Sequence, residues 1–378
     1  MNNVIRPYLI NPTLIEQPTW GGDYIVNYKG WNNRPGFANK KIGQSYELYG
    51  KSKLAIDISD TSDPRFGTDI DSPVTTNSSL NLEELIKKNP SNVLGPAIYQ
   101  KYGKMPLLIK FTQALGNSFQ LHAKSGVTHP RWKPKAESWY YFEDGYITLG
   151  IKKGIDLTSY KHTCIQINEK MEELSSTVRA GTMSPTDAAT QAKEFIQKLN
   201  PWQFINLHQV KKYDLIDLSI GGLHHSWEEN ASIAPLGNVL YEVQQDVADE
   251  FATIRSFDQG KMKDNGEIRQ IHIDDYFQFI DASEASNDIE HAKRKHKGSR
   301  LLATPFYTLD LLTITGTMTE KISDSFVHLF VRDGDVDVVT GNNILHLAKG
   351  HSCFVPWVVN SYEIRSGTPA SVVLRTYI

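Results

Sequence analysis

Cysteine is scarce in this sequence, in which Cys164 and Cys353 are the two cysteines of 378 residues. Two thiols so far apart argue against a disulfide framework and against a zinc ribbon built from cysteine, and they fit a reducing compartment. Long apolar runs are also missing, because no segment approaches the roughly 20 apolar residues that span a bilayer and the N-terminal segment has no apolar core of signal-peptide length. We therefore expect a cytoplasmic protein without membrane insertion.

A large charge imbalance is missing as well. The sequence has 40 basic and 43 acidic residues, a formal net charge of -3. This balance gives no general electrostatic reason to expect nucleic acid or an anionic membrane as a partner. Hydrophobic residues make up 40% of the chain, enough to bury substantial cores, and the length allows two domains of ordinary size.

Short runs with aromatic and β-branched residues, separated by Gly, Pro or Asn, predict strands along most of the chain. The first half contains WGGDYIVNYKG, KKIGQSYELYG, KSKLAIDIS, PLLIKFTQAL, SFQLHAK, SWYYFEDG and YITLGIKKG. The second half contains FINLHQV, LIDLSIGGLHHS and GNVLYEVQQ, and after a polar connector YTLDLLTITG, SFVHLFVRDGDVDVV, NILHLAKGHSCFVP and SVVLRTYI. This pattern favours antiparallel barrels or sandwiches, and two β-rich units suggest a duplicated architecture.

Apolar residues at helical spacing predict helical insertions at about residues 78–104 and 155–205. The first insertion carries Leu82, Leu85 and Ile86 ahead of Pro90. In the second insertion one helical face repeats at Ile167, Met171, Leu174 and Val178, and a further helix begins with Ser184 as N-cap and Pro185 at its first position. These apolar faces are expected to form core.

A candidate metal site comes from residues in three predicted strands. Gln120 and His122 lie two apart in SFQLHAK, so both side chains project from one face. Glu137 begins the strand ESWYYFE, and His224 follows two glycines in GGLHHS. His225 competes with His224, because strand alternation lets one of two neighbours point inward and spacing does not choose between them. Imidazole, amide and carboxylate donors suit a divalent ion, zinc first, although each residue alone is also typical of a polar strand face.

These residues and their surroundings resemble the type I phosphomannose isomerases, zinc-dependent mannose-6-phosphate isomerases of the cupin superfamily. WGG at residues 20–22 is similar to the opening WGG of the family, and IGQSYELYG is similar to its IGESWE block. PLLIKFTQALGNSFQLHAK resembles PLLIKFLDA followed by LSIQVHP, and KAESWY resembles GKTEXWY. DLIDLSIGGLHHS resembles GDFFYVPSGTIHAI, and YEVQQDVADEFATIRSFD resembles LEIQQSSDTTYRLYD.

The resemblance implies a role for each matching residue. The implied ligands of a single Zn²⁺ are Gln120, His122, Glu137 and His224, which selects His224 over His225. Arg255, Glu242 and Lys135 take the catalytic positions, and Ser118, Lys135 and Arg255 take the substrate-binding positions. The sequence departs from the family at Gln44 and Ala123, and it has three additional residues between Glu242 and Arg255, which can displace Arg255.

The resemblance also implies the architecture. The fold is expected to be mainly β with a helical insert, formed by two cupin (jelly-roll) β-barrel domains and an α-helical segment. Residues 1–260 would form the N-terminal catalytic domain with the two insertions, and residues 261–378 would form a connector and a C-terminal non-catalytic cupin domain. In the latter, His328, His346 and His351 lack the spaced carboxylate and Gln found around Glu137.

The implied activity interconverts mannose 6-phosphate and fructose 6-phosphate through an enediol. The partner would be a small sugar phosphate, with neither nucleic acid nor a membrane involved, and the protein would be a monomer or homodimer. Two alternatives stay open. One is a cupin metalloenzyme that acts on another, unphosphorylated sugar or with iron(II) oxygenase chemistry, and the other is an inactive sugar-binding regulatory cupin.

Overall fold

The computed structural model describes residues 6–18, 20–37, 39–67, 79–116, 118–219, 222–225, 230–296 and 298–378. Two compact units are present, and each is made of segments distant in sequence. The terminal unit comprises Met1–Gln113, Val239–Asp246 and Arg294–Ile378, and the central unit comprises Ala114–Asn238 and Val247–Lys293. The boundary at residue 260 stays a prediction, because compactness groups the beginning of the chain with its end.

Strands account for most of the regular structure. The first nine are β1 Tyr8–Asn11, β2 Thr13–Glu16, β3 Ile42–Leu48, β4 Lys53–Ala55, β5 Ser79–Asn81, β6 Leu107–Ala114, β7 Phe119–His122, β8 Glu137–Tyr141 and β9 Gly145–Ile151. Next come β10 Ile205–Val210, β11 Leu215–Asp217, β12 Gly222–His225, β13 Asn238–Gln245 and β14 Ile254–Phe257. The last are β15 Arg300–Ala303, β16 Thr308–Ile314, β17 Thr317–Lys321, β18 Val327–Asp333, β19 Asp335–Thr340, β20 Asn343–Ala348, β21 Ser352–Val355, β22 Ser361–Ser366 and β23 Ser371–Tyr377.

Helices lie mainly before β6, between β9 and β10, and after β14. They are α1 Tyr24–Tyr28, α2 Leu82–Lys88, α3 Pro90–Leu94, α4 Pro96–Tyr102, α5 Leu157–Arg179, α6 Pro185–Leu199, α7 Asp249–Ala252, α8 Ile273–Phe279, α9 Glu284–Asn287 and α10 Ile289–Ala292. Two short 3₁₀ helices span Pro201–Phe204 and Trp357–Val359. Among the described residues, none of these helices is both long enough and apolar enough to cross a membrane.

The terminal unit is built from several sheets. Its largest sheet has the strand order β15-β16-β23-β18-β21-β1-β4-β5, and a four-stranded sheet has the order β17-β22-β19-β20. Strands β13, β6, β3 and β2 are neighbours in that order in a further sheet. The beginning and the end of the chain belong to one unit because β1 pairs with β21, with Tyr8 opposite Phe354 and Leu9 opposite Cys353.

The central unit contains a five-stranded sheet of order β10-β9-β12-β7-β14, and a separate pairing of β8 with β11. One face of the five-stranded sheet is apolar. Phe119 and Leu121 of β7 and Ile254 of β14 lie in a buried cluster with apolar residues of α5 and α6. The prediction of a mainly β chain with a helical insert is confirmed, but the sheets are open over the described residues rather than closed barrels.

Capping and an apolar stripe explain the two long helices. The Asp156 side chain accepts a hydrogen bond from the Thr158 backbone N–H at the start of α5 (2.9 Å), and the residues of the predicted stripe are buried. Ser184 caps α6 by accepting from the Asp187 backbone N–H (3.1 Å), with Pro185 at the first helical position. Pro90 ends α2, as predicted, and it also begins α3, where its missing N–H has no cost.

The expectation of a strand across WGGDYIVNYKG is wrong, because residues 24–28 form the short helix α1. The Tyr24 backbone N–H donates to Gln113 Oε1 (2.8 Å), which supplies a partner for one of the first N–H groups of the helix. Tyr24 and Tyr28, one helical turn apart, stack at 5.7 Å and both contact Phe111. Tertiary packing therefore overrides the strand preference of these aromatic residues.

We expect Leu121→Ala to destabilise the protein by about 2–5 kcal/mol, because Leu121 is buried in the core of the central unit and its truncation leaves a cavity. Leu207→Ala is the matched control, since Leu207 lies in the same sheet but is 46% exposed. Its cost should stay within about 0.5 kcal/mol. Urea unfolding of both variants measures the difference, and equal costs would contradict the assignment of the apolar face.

Candidate metal centre

The register of three strands brings the candidate residues together. Strand β7 lies between β12 and β14, and Gln120 is opposite Arg255 of β14 and opposite residue 224 of β12. Directly opposed residues of an antiparallel pair lie on the same face of the sheet. Residues 255, 120 and 224 therefore form one row across the sheet, and His122 follows two positions along β7 on the same face.

The same register separates the two neighbouring histidines of β12. Residue 225 is opposite Phe119, which lies in the buried core of the central unit. Residue 224 is opposite Gln120, on the polar face. This backbone position agrees with the choice of His224 that the family resemblance implies. The side chains of both histidines lie outside the described residues, so the assignment of His224 as a ligand stays a prediction.

His122 is oriented by a backbone carbonyl. Its Nδ1 lies 2.7 Å from the Ala252 carbonyl oxygen, which can only accept a hydrogen bond, so Nδ1 carries the proton. Its Nε2 lies 3.0 Å from Oε2 of Glu137. A ring nitrogen lone pair and a carboxylate oxygen at this distance require a proton or a metal cation near both. A histidine that donates through Nδ1 to a backbone carbonyl, so that the lone pair of Nε2 can bind, is the usual arrangement of a metal ligand.

Both oxygens of the Glu137 carboxylate have partners. Oε1 accepts from the Trp139 indole N–H (2.6 Å), and Oε2 lies 3.2 Å from Lys135 Nζ. The side chains of Glu137 and Lys135 are 3% and 6% exposed. A buried carboxylate needs such partners because removing the charge from water is costly. Trp139 fixes the plane of the carboxylate, and Lys135 places a positive charge beside it.

A second chain of hydrogen bonds joins Gln120 to Arg255. Ser118 Oγ donates to Gln120 Oε1 (3.1 Å) and accepts from Arg255 Nε (3.2 Å). The Nη2 group of Arg255 lies 2.8 Å from Asp249 Oδ2. The three additional residues before Arg255 therefore do not separate it from Ser118 and Gln120. A register shift between Arg255 and Phe257 marks an irregularity in β14 directly after Arg255, a feature that can re-aim a side chain.

His272 borders this chain of hydrogen bonds. The Arg255 backbone N–H lies 3.4 Å from His272 Nδ1, and Arg131 Nη2 lies 3.1 Å from His272 Nε2. Burial, and after it the positive charges of Arg131 and Arg255, lower the pKa of His272 to about 4. The imidazole is therefore neutral near pH 7, and the positive charge on this side of the site comes from arginine.

The donors present fit a divalent metal ion. An amide oxygen from Gln120, an imidazole nitrogen from His122 and a carboxylate oxygen from Glu137 are within the ligand chemistry of zinc and related ions. Over the part of the chain that the structure describes, no three side chains of His, Cys, Asp or Glu form a group that could hold a metal. A metal site here consequently depends on the amide of Gln120 and on residue 224.

Glu242 lies on β13, in the terminal unit. Its Oε1 lies 2.9 Å from Lys110 Nζ, and both side chains are almost buried. The ion pair is consistent with a structural strand carboxylate as well as with a catalytic one. Its assignment as a catalytic residue stays a prediction.

Three contributors to the site were not found from the sequence. Trp139 could have been found, because it lies two positions after Glu137 in a strand and therefore shares its face. Asp249 gives no such signal, since its contact with Arg255 depends on the path of the chain between β13 and β14. The Ala252 carbonyl is a backbone group, so residue type carries no information about it.

Comparisons with known proteins agree with the architecture. Residues 299–374, in the terminal unit, match the family model of the mannose-6-phosphate isomerase cupin domain. Among curated proteins, none matches the sequence.

Solved structures cover nearly the whole chain. The mannose 6-phosphate isomerase of Bacillus subtilis has a TM-score of 0.63 and 15% identity, over 99% of this chain and 100% of that chain. A zinc-bound mannose 6-phosphate isomerase gives 0.66 and 13%, over 98% and 99%. A phosphomannose isomerase mutant from Salmonella typhimurium gives 0.65 and 12%, over 98% and 99%. These findings confirm the resemblance and the cupin-type fold.

We expect Trp139→Phe to cost about 1–3 kcal/mol of stability, because a buried carboxylate loses the hydrogen bond from the indole N–H. Trp132→Phe is the matched control. Trp132 is equally buried, and its indole N–H donates to Asp275 (2.8 Å), which is partly exposed, so water can replace the lost donor. Chemical denaturation of the two variants measures the difference. Equal losses would show that Glu137 does not depend on Trp139.

Proposed function

We propose that this protein is a zinc-dependent aldose-ketose isomerase that interconverts mannose 6-phosphate and fructose 6-phosphate through an enediol. The observation that carries the proposal is the buried group formed by Gln120, His122, Lys135 and Glu137, in which His122 Nε2 lies 3.0 Å from the Glu137 carboxylate. The cupin-type fold shared with mannose-6-phosphate isomerases supports the choice of reaction. The proposed substrate is a small sugar phosphate, so neither nucleic acid nor a membrane is required.

Gln120, His122, Glu137 and His224 would hold the ion. When bound, a divalent cation makes the neighbouring substrate oxygens more acidic and stabilises negative charge that develops on them. The Ala252 carbonyl keeps His122 in the tautomer that a ligand requires, and Trp139 holds the Glu137 carboxylate in place. These two contacts reduce the reorganisation needed for binding.

The reaction requires that a proton leave C2 of the aldose and that a proton be added at C1, while a proton moves from the C2 oxygen to the C1 oxygen. No external oxidant or reductant is needed for this balance. Lys135 and Arg255 would supply positive charge to the developing enediolate or to the phosphate, and Arg255 can grip a phosphate through two N–H groups. Glu242 is the proposed general base.

A coupled assay of mannose 6-phosphate conversion, with and without a chelator, tests the proposal. We expect activity that the chelator removes and zinc restores, and a loss of about 100-fold or more in kcat/KM for Gln120→Ala and Glu137→Ala. Gln209→Ala, at an exposed position of β10, is the control and should retain activity and zinc content. A chelator-insensitive rate contradicts the metal, and no conversion at full zinc loading contradicts the substrate.

Arg255→Lys should lower kcat/KM by about 10- to 100-fold with unchanged zinc content, because lysine keeps the charge but loses the planar donor set that meets Ser118 and Asp249. Arg269→Lys, at a half-exposed arginine of the same unit, should change kcat/KM by less than about twofold. Steady-state kinetics together with metal analysis by mass spectrometry measure both quantities. Full activity of Arg255→Lys would show that Arg255 acts only through its positive charge.

A further inference from the structure

The short helix α7 contacts the candidate site at three points. The Phe251 carbonyl accepts from the Lys133 backbone N–H (2.7 Å), next to the segment that carries Lys135. The Ala252 carbonyl meets His122 Nδ1. Asp249, the first residue of the helix, binds the guanidinium of Arg255. One turn of helix is therefore linked to a proposed metal ligand and to a proposed substrate-binding arginine.

We infer that Asp249 is a positioning residue for Arg255, an inference that rests on the proposed function. Arg255 Nε donates to Ser118 Oγ (3.2 Å), and Nη2 lies 2.8 Å from Asp249 Oδ2. A guanidinium is a planar group, so two contacts at different nitrogens fix its plane and its rotation. Neither contact uses Nη1. Asp249 thereby determines the direction in which Arg255 presents its remaining donors.

Asp249 is itself held in place. Thr253 Oγ1 donates to Asp249 Oδ1 (2.9 Å), so one carboxylate oxygen is tied to the end of α7 while the other meets Arg255. Thr253 is buried and directly precedes β14, the strand that carries Arg255. The carboxylate therefore cannot follow Arg255 freely, and it fixes the arginine rather than moving with it.

The difference in exposure between Asp249 and Arg255 distinguishes a positioning role of Asp249 from a role in folding stability. The Asp249 side chain is 69% exposed, whereas that of Arg255 is 12% exposed. An ion pair with one exposed partner contributes little to folding stability. Loss of Asp249 should therefore leave the protein folded and change the orientation of Arg255. We expect this change to lower kcat and to leave the unfolding midpoint nearly unchanged.

A double-mutant cycle on kcat tests the inference with the zinc-loaded full chain. We expect Asp249→Ala to lower kcat by about 10-fold or more with a smaller change in KM, because misplaced catalytic contacts reduce turnover. Asp249→Asn, whose amide oxygen can accept from Arg255 while its amide N–H donates to the Thr253 hydroxyl, should recover most of that loss. In the Arg255→Ala background, Asp249→Ala should have no further effect. Glu250→Ala removes a neighbouring exposed carboxylate of the same helix and should leave kcat unchanged.

Crystal structures of the unsubstituted protein and of Asp249→Ala give a readout that does not depend on the reaction. Displacement of Arg255 from Ser118 in the variant supports the inference, whether or not the unsubstituted protein is active. Failure of the unsubstituted protein to convert mannose 6-phosphate overturns the proposed function alone. Unchanged kcat in Asp249→Ala of an active enzyme overturns the inference alone. The inference is also overturned if Asp249→Ala lowers kcat equally in the unsubstituted and Arg255→Ala backgrounds. It is likewise overturned if Arg255 keeps its position in the structure of Asp249→Ala.

Discussion

Strand β7 is hydrogen-bonded on both sides, and this double pairing is the constraint on which the candidate site depends. Its register aligns Gln120 with Arg255 on one neighbour and with residue 224 on the other. The alternate residues of the strand, Phe119 and Leu121, are held in the apolar core. A shift by one residue would exchange the two faces, burying polar groups in the core. Core packing and site assembly are therefore specified by the same interaction.

The site combines buried charge with local compensation. Lys135 and Glu137 are close to each other, and Trp139 and His122 contact the same carboxylate. Neutralisation of this kind lets charged groups lie in the interior without an unpaired ion. Arg255 and Asp249 repeat the arrangement near the surface. Lys135 and Arg255, the two proposed cationic side chains of the central unit, thus each have a carboxylate that fixes their position.

Much of the fold was predictable because it depends on periodicity. The stripe from Ile167 to Val178 and the cap at Ser184 identify α5 and α6, and strand alternation places Gln120 and His122 on one face. The helix α1 was not predictable, because its stability comes from contacts of Tyr24 and Tyr28 with residues far along the chain. The grouping of the two termini into one unit likewise depends on long-range strand pairing, which local sequence does not encode.

The charges of the site explain why these residue types suit the proposed substrate. The formal charges of Lys135, Glu137, Arg255 and Asp249 sum to zero, and Gln120 would contribute an uncharged ligand where a second carboxylate would add a negative charge. A divalent cation would leave the group positive by two units. That excess attracts a phosphate, whereas a neutral sugar gains less from it. An amide in the proposed ligand set is therefore consistent with an anionic substrate.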